Sequence, residues 1–209
     1  MAKLFTIAGA LIVGLLMPAV LVFGAIASIG TSTTGGSSSP LVAELVSSGY
    51  ENGRLPEEAL KVVSTRLGYE CKLAVIGGAA DAWSALVILA ELDGFDLEGG
   101  WCYRTYEEQV GAWTSRQCFI PGNCDGDPYP PTATPGTSMH GWGLAVDVWN
   151  AGDDLVGCWS VEFGWMQVNA PLFGWVHPTW AGCGQGGAEP WHWEYVGVES
   201  SIPVAEAGS

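Results

Sequence analysis

Positive charge is scarce in this sequence. Seven Lys and Arg stand against 22 Asp and Glu in 209 residues, for a formal net charge of −15. That excludes nucleic acid as a partner, because a phosphate backbone is held by basic patches that displace its counterions. Tight electrostatic binding to an anionic surface is excluded on the same ground. The acidity itself names no partner and serves solubility. Histidine is scarcer still, at three residues. The six cysteines include no Cys-x-x-Cys pair, so a thiolate zinc site lacks its usual spacing. No internal repeat is present.

Charge is missing altogether from residues 4–30. The run is long enough to cross a bilayer, which needs about 20 apolar residues. Lys3 and the α-amino group are the only positive charges beside it, so the N-terminus is expected inside and the rest outside. A cleaved signal peptide is the competing reading. Ala25-Ile26-Ala27 resembles a cleavage site, although the run exceeds the roughly 7–15 residues of a signal core. Both readings export the rest of the chain, to the membrane's outer face or to the medium. Residues 31–40, rich in Ser, Thr and Gly, read as a flexible tether. Residues 41–209 are the expected domain. All six cysteines lie in it, and an even count in an exported domain favours disulfides. Spacing leaves the pairing open, with Cys118 and Cys124, flanking a Pro-Gly loop, as the first candidate pair.

Within the domain, Pro56-Glu57-Glu58 suits the first turn of a helix, expected to run to Arg66 with Gly68 as its cap. Residues 79–92 are the clearest helix, with Trp83, Leu86, Val87 and Ala90 at helical spacing, and apolar enough all round to be buried on more than one face. Residues 97–103 read as a strand. Thr105 then reads as an N-cap before Glu107, Glu108 and Gln109, with Tyr106, Val110 and Trp113 toward the core. That puts Arg104 at a strand-to-helix junction. Residues 119–137 form a long loop, in which Asp125-Gly126-Asp127 lacks the remaining ligands of a calcium loop. Residues 144–149 alternate as a strand does. A helix over 161–169 and strands over 174–177 and 191–196 complete the domain, before a patternless tail from Glu199.

The chemistry gathers in two stretches. Residues 135–148 hold His140 and Asp147, with Gly141 and Gly143 between them, and residues 189–195 hold Glu189, His192 and Glu194. A catalytic zinc site takes three protein ligands and leaves a position for water. His140, Asp147 and His192 supply such a set. Seven residues from His140 to Asp147 do not suit one helix face; they suit a loop entering a strand, and the glycines permit the sharp path. Glu189, three residues before His192 and stiffened by Pro190, is placed to act as a base that is not a ligand. Glu194 shares the strand face of His192 and is a candidate partner for its ring. His177 is a further candidate, either lining the pocket or capping a strand. Trp142, Trp191 and Trp193 are core by default and candidate walls of the site by position.

Ser138-x-His140-x-x-Gly143-x-Ala145-x-Asp147 and Glu189-x-x-His192 resemble the zinc signature of the VanY-like D-alanyl-D-alanine carboxypeptidases, in the M15 metallopeptidases. Tyr103-Arg104-Thr105-Tyr106-x-x-Gln109 resembles that family's upstream element, and the three occur in the family's order. The resemblance implies a small α+β domain with a central antiparallel sheet and flanking helices, of Hedgehog/DD-peptidase-like type. It implies Zn2+ on His140, Asp147 and His192, Glu189 as base and acid, Arg104 across the cleft, and Ser138 and Gln109 lining the substrate pocket. The implied activity is hydrolysis of D-Ala-D-Ala bonds in peptidoglycan stem peptides. A peptidoglycan endopeptidase that opens the wall is the alternative, and an inactive wall-binding module a second. Glu189 favours the carboxypeptidase branch, since the endopeptidases tend to carry aspartate there.

Overall fold

The computed structural model describes residues 39–124, 132–150, 152, 154–184 and 186–198. The expected anchor, all of the tether before residue 39, the Asp125–Asp127 turn and the C-terminal tail lie outside them. Among the described residues no helix is long and apolar enough to cross a membrane. The elements run α1 (Pro40–Ser47), β1 (Leu60–Arg66), β2 (Tyr69–Ala74), α2 (Ala79–Leu92), β3 (Leu97–Trp101), α3 (Tyr106–Ser115), β4 (Ala145–Asn150), α4 (Val161–Asn169), β5 (Trp175–Val176) and β6 (His192–Tyr195). β1 and β2 form an antiparallel hairpin. The other strands form an antiparallel sheet in the order β3-β4-β6-β5. The class is therefore α+β, as expected.

The helix expected over 56–66 is absent. Pro56-Glu57-Glu58 opens only a 3-10 turn over Glu57–Ala59, and the chain then enters β1. Val62, Val63 and Thr65 are β-branched and stiff at χ1, which suits a pleated strand. Leu67 (φ 48°) and Gly68 (φ 85°) make the two-residue turn to β2, where positive φ at both positions matches the twist of the flanking strands. So Gly68 turns a hairpin rather than capping a helix. The hairpin buries Cys71, Leu73 and Ala74. A buried leucine alone is worth roughly 2 kcal/mol, which outweighs helix preferences of a few tenths per residue.

Other elements differ in detail. Pro40, expected to close the tether, is the first residue of α1. Helix α2 has the expected ends but buries one stripe, Ala79, Ala80, Trp83, Leu86 and Ala90, while Ile88 and Leu92 face solvent. In α3 the Thr105 cap holds, with a full capping box to Glu108, yet the buried residue is Gln109 and Val110 is exposed. Helix α4 buries Phe163 and Met166, with Ala170 buried just beyond its end.

The core lies between α2 and the inner face of the four-stranded sheet. Trp83 meets Trp175 edge to face at 5.5 Å, and Val146, Val148 and Trp193 are fully buried beside them. Three disulfides crosslink the described residues, the first of them buried in the core: Cys71–Cys102, Cys118–Cys124 and Cys158–Cys183. The first candidate pair is thus formed.

Candidate active site

Alternation along β4 and β6 sets the site. Val146 pairs with Trp193, and both point into the core. Successive strand residues point to opposite faces, so Asp147 and its direct partner His192 share the other face. His140 arrives from a 3-10 turn over Met139–Trp142, capped by Ser138, whose hydroxyl accepts the His140 N–H at 3.3 Å. Gly143 leaves that turn at φ +64° and carries the chain into β4. Gly141 is needed for a different reason: a Cβ there would lie 2.1 Å from Asn52 Oδ1. Asn52 itself donates to Ser138 O at 2.8 Å.

Three ligand-type atoms converge. His192 Nδ1 lies 3.0 Å from Asp147 Oδ1 and 3.2 Å from His140 Nε2, and His140 Nε2 lies 3.4 Å from Asp147 Oδ1. Zinc bonds of about 2.0–2.1 Å in tetrahedral geometry separate ligands by roughly 3.3 Å. The trio therefore already has the dimensions of one face of a zinc tetrahedron. The outer nitrogens are engaged. His140 Nδ1–H donates to Cys102 O at 2.7 Å, and His192 Nε2–H donates to Glu194 Oε1 at 3.3 Å. Such outer bonds orient imidazoles toward a metal. With neutral rings they leave His140 Nε2 and His192 Nδ1 as the lone-pair atoms, and these are the atoms that converge. Glu194 thus occupies the role expected for it.

The electrostatics arise from burial and the single carboxylate. Burial would raise the Asp147 pKa, but the charges and hydrogen bonds of His140 and His192 outweigh it and hold the carboxyl well below its usual range. Burial would lower His192; hydrogen bonds to Asp147 and Glu194 outweigh it and push the ring up to about 9. For His140 burial wins, and its pKa is lowered. Burial pushes Glu189 up to about 7, opposed by His192 and assisted by Asp147.

Glu189 stands beside the trio without joining it. Its Oε2 is 4.0 Å from His192 Nδ1. Its backbone is held at both ends: the N–H donates to Ala181 O, and the carbonyl accepts from His192 N–H at 3.0 Å and from His177 Nε2 at 3.1 Å. His177 packs edge-on against Phe163 and Trp193, so its observed contacts support the Glu189 backbone. The Arg104 N–H donates to His140 O at 3.1 Å, and its guanidinium donates to Gln109 Oε1 at 2.9 Å. Gln109 in turn donates to Ala133 O. Gln109 and Ser138 are both buried; the Gln109 side chain meets Arg104 and Ala133, and the Ser138 hydroxyl meets the backbone of the His140 turn.

Two features escaped the sequence. Trp193, a candidate wall, is a core residue. The tryptophan that lies on a site ring is Trp180, whose centroid is 5.1 Å from that of His192. The carbonyl that orients His140 belongs to Cys102, and a backbone oxygen leaves no mark in residue types.

Fold and site together define a domain with an open His-Asp-His centre and a free carboxylate beside it, the arrangement of a catalytic rather than a structural metal site. A model of the VanY D-alanyl-D-alanine carboxypeptidase family matches residues 73–198, and the chain belongs to that family. It is 35% identical over 79 residues to a D-alanyl-D-alanine carboxypeptidase of Enterococcus faecalis (strain ATCC 700802 / V583), a match spanning 36% of this chain and 29% of that protein. Its fold is similar to that of the LdcB LD-carboxypeptidase, with TM-score 0.57, 24% identity, and 71% of this chain and 73% of that one covered. It is also similar to VanYB in complex with D-Alanine-D-Alanine, with TM-score 0.50, 25% identity, and 72% and 87% covered.

Proposed function

We propose that this protein is an exported zinc peptidase that hydrolyses the D-Ala-D-Ala bond of peptidoglycan stem peptides. The observation that carries the reading is the spacing of His140, Asp147 and His192 with the Glu189 carboxylate 4.0 Å from His192 Nδ1. Zinc held by His140 Nε2, Asp147 Oδ1 and His192 Nδ1 would supply Lewis acidity, polarising a carbonyl and making water acidic near neutrality. Glu189 takes a proton from the attacking water as its oxygen bonds to the scissile carbonyl carbon. It returns that proton to the nitrogen as the C–N bond breaks, so free D-alanine leaves as the amine and the shortened stem keeps the new carboxyl. Arg104, braced by Gln109, would polarise the scissile carbonyl and its developing oxyanion or hold the anionic end of the substrate. Residues 1–30 would hold the domain outside the membrane through the tether, or be cleaved to release it.

The test is mass spectrometry of products from defined stem peptides and from purified peptidoglycan, with and without a chelator. Release of free D-alanine, abolished by the chelator, supports the reading. Solubilised muropeptides without free D-alanine would transfer it to an endopeptidase. No product from either substrate would leave a wall-binding module.

A further inference from the structure

Trp180 combines partial exposure with a ring contact to a residue of the trio. It is 43% exposed, and its indole lies against His192 with centroids 5.1 Å apart and planes at 47°. The segment that carries it is firmly held. Pro178 leads into a 3-10 turn over Thr179–Ala181, closed by Ala181 N–H to Pro178 O and Gly182 N–H to Thr179 O. Ala181 is fully buried, and its carbonyl accepts the N–H of Glu189 at 3.0 Å. Two residues on, Cys183 is bonded to Cys158. One short turn therefore fixes an exposed indole face to the same framework that places the Glu189 carboxylate.

A polar pair stands beside the His140 turn. Arg104 is tied to His140 through its backbone and to Gln109 through its guanidinium. A peptide lying across the trio would have the residue hydrogen-bonded to the His140 carbonyl, Arg104, as its cation and the indole packed on His192 as its apolar ring. Its anionic end belongs with the cation, so the chain upstream of the scissile bond leaves over the ring. We infer that Trp180 is a substrate-positioning residue, an apolar wall for the peptide on the acyl side of the scissile bond. The inference rests on the proposed peptidase activity. It gives the acyl arm a preference for methyl- and methylene-bearing residues that can lie on an indole face, which buries a large area at little entropic cost.

The experiment compares the zinc-loaded full chain with Trp180→Ala and Trp180→Phe on two substrates, N-acetyl-D-Ala-D-Ala and a stem pentapeptide ending in D-Ala-D-Ala. Zinc content is measured for each protein. Covering half an indole is worth roughly tenfold in binding. Trp180→Ala is therefore expected to raise KM about tenfold more for the pentapeptide than for the acetyl dipeptide, with zinc content retained and Trp180→Phe recovering most of the difference. Equal KM penalties on the two substrates, or a loss that follows zinc content, overturn the role of Trp180 and leave the peptidase reading intact. A wild-type chain that cleaves neither substrate overturns the peptidase reading itself.

Discussion

The imidazole of His140 donates through Nδ1 to the carbonyl oxygen of Cys102 at 2.7 Å. Cys102 is bonded to Cys71 on β2 and lies two residues before Arg104. A single crosslink thus anchors both the carbonyl that aims a ligand ring and the strand end that delivers the arginine. Closing 31 residues of separation stabilises by about 3–4 kcal/mol on the chain-entropy account. The Cys71→Ala/Cys102→Ala protein is expected to lose stability of that order in urea unfolding. Its zinc affinity should fall about tenfold in chelator competition, the lower range for disturbing a ligand's outer hydrogen bond. Unchanged zinc affinity in the folded variant would show that the carbonyl keeps its place without the crosslink.

Glu189 lies outside the ligand trio, so its removal separates metal binding from chemistry. Glu189→Ala should bind zinc as the parent does and lose roughly 10²–10⁴-fold in turnover of a stem peptide, the range for a general base. Zinc content and product release measured on one preparation decide it, and full activity would sink the assignment.

The close approach of Asn52 to Gly141 makes a second, purely steric test. Gly141→Ala puts a Cβ against the Asn52 carboxamide and should destabilise by about 1–3 kcal/mol, the usual cost of overpacking. Because the clash is pairwise, Asn52→Ala in the same chain should recover part of the loss, although Asn52→Ala alone gives up its bond to Ser138 O. A double-mutant cycle by thermal unfolding in EDTA reads the coupling. Strict additivity would contradict the contact.

In the metal-free protein His192 stays protonated up to a pKa of about 9. A ligand imidazole must be neutral, so zinc uptake at pH 7 should release about one proton from this ring. Titration calorimetry in buffers of different ionisation enthalpy is expected to show that release, fading above pH 9. The sign for stability is opposite. A raised folded pKa contributes to the metal-free fold in full below the unfolded value near ~6.5 and is lost as pH rises through about 9. Absence of proton release at pH 7 would mean that Asp147 and Glu194 do not hold the ring charged.

Much of the site was legible because catalytic metal chemistry restricts residue type. Few histidines are present, and two of them fall in stretches that also carry carboxylates, the first with glycines that fit a loop entering a strand. The capped helix after Arg104 and helix α4 were readable from local period and capping. The 56–66 segment was misread because Pro56-Glu57-Glu58 is a helix-start signal, while the deciding term, burial of β2 against the core, is absent from any local window.

The sequence by itself determined the donor set, the carboxylate beside it and the order of the motifs, since each depends on residue types at short spacing. Only the tertiary structure decided the rest. It made Asp147 and His192 direct neighbours on adjacent strands, turned a backbone carbonyl of Cys102 toward His140, set Gln109 behind Arg104, and chose Trp180 rather than Trp193 to face the site. Those outcomes come from register, crosslinking and packing between segments far apart in the chain. No residue carries that information until the sheet has formed.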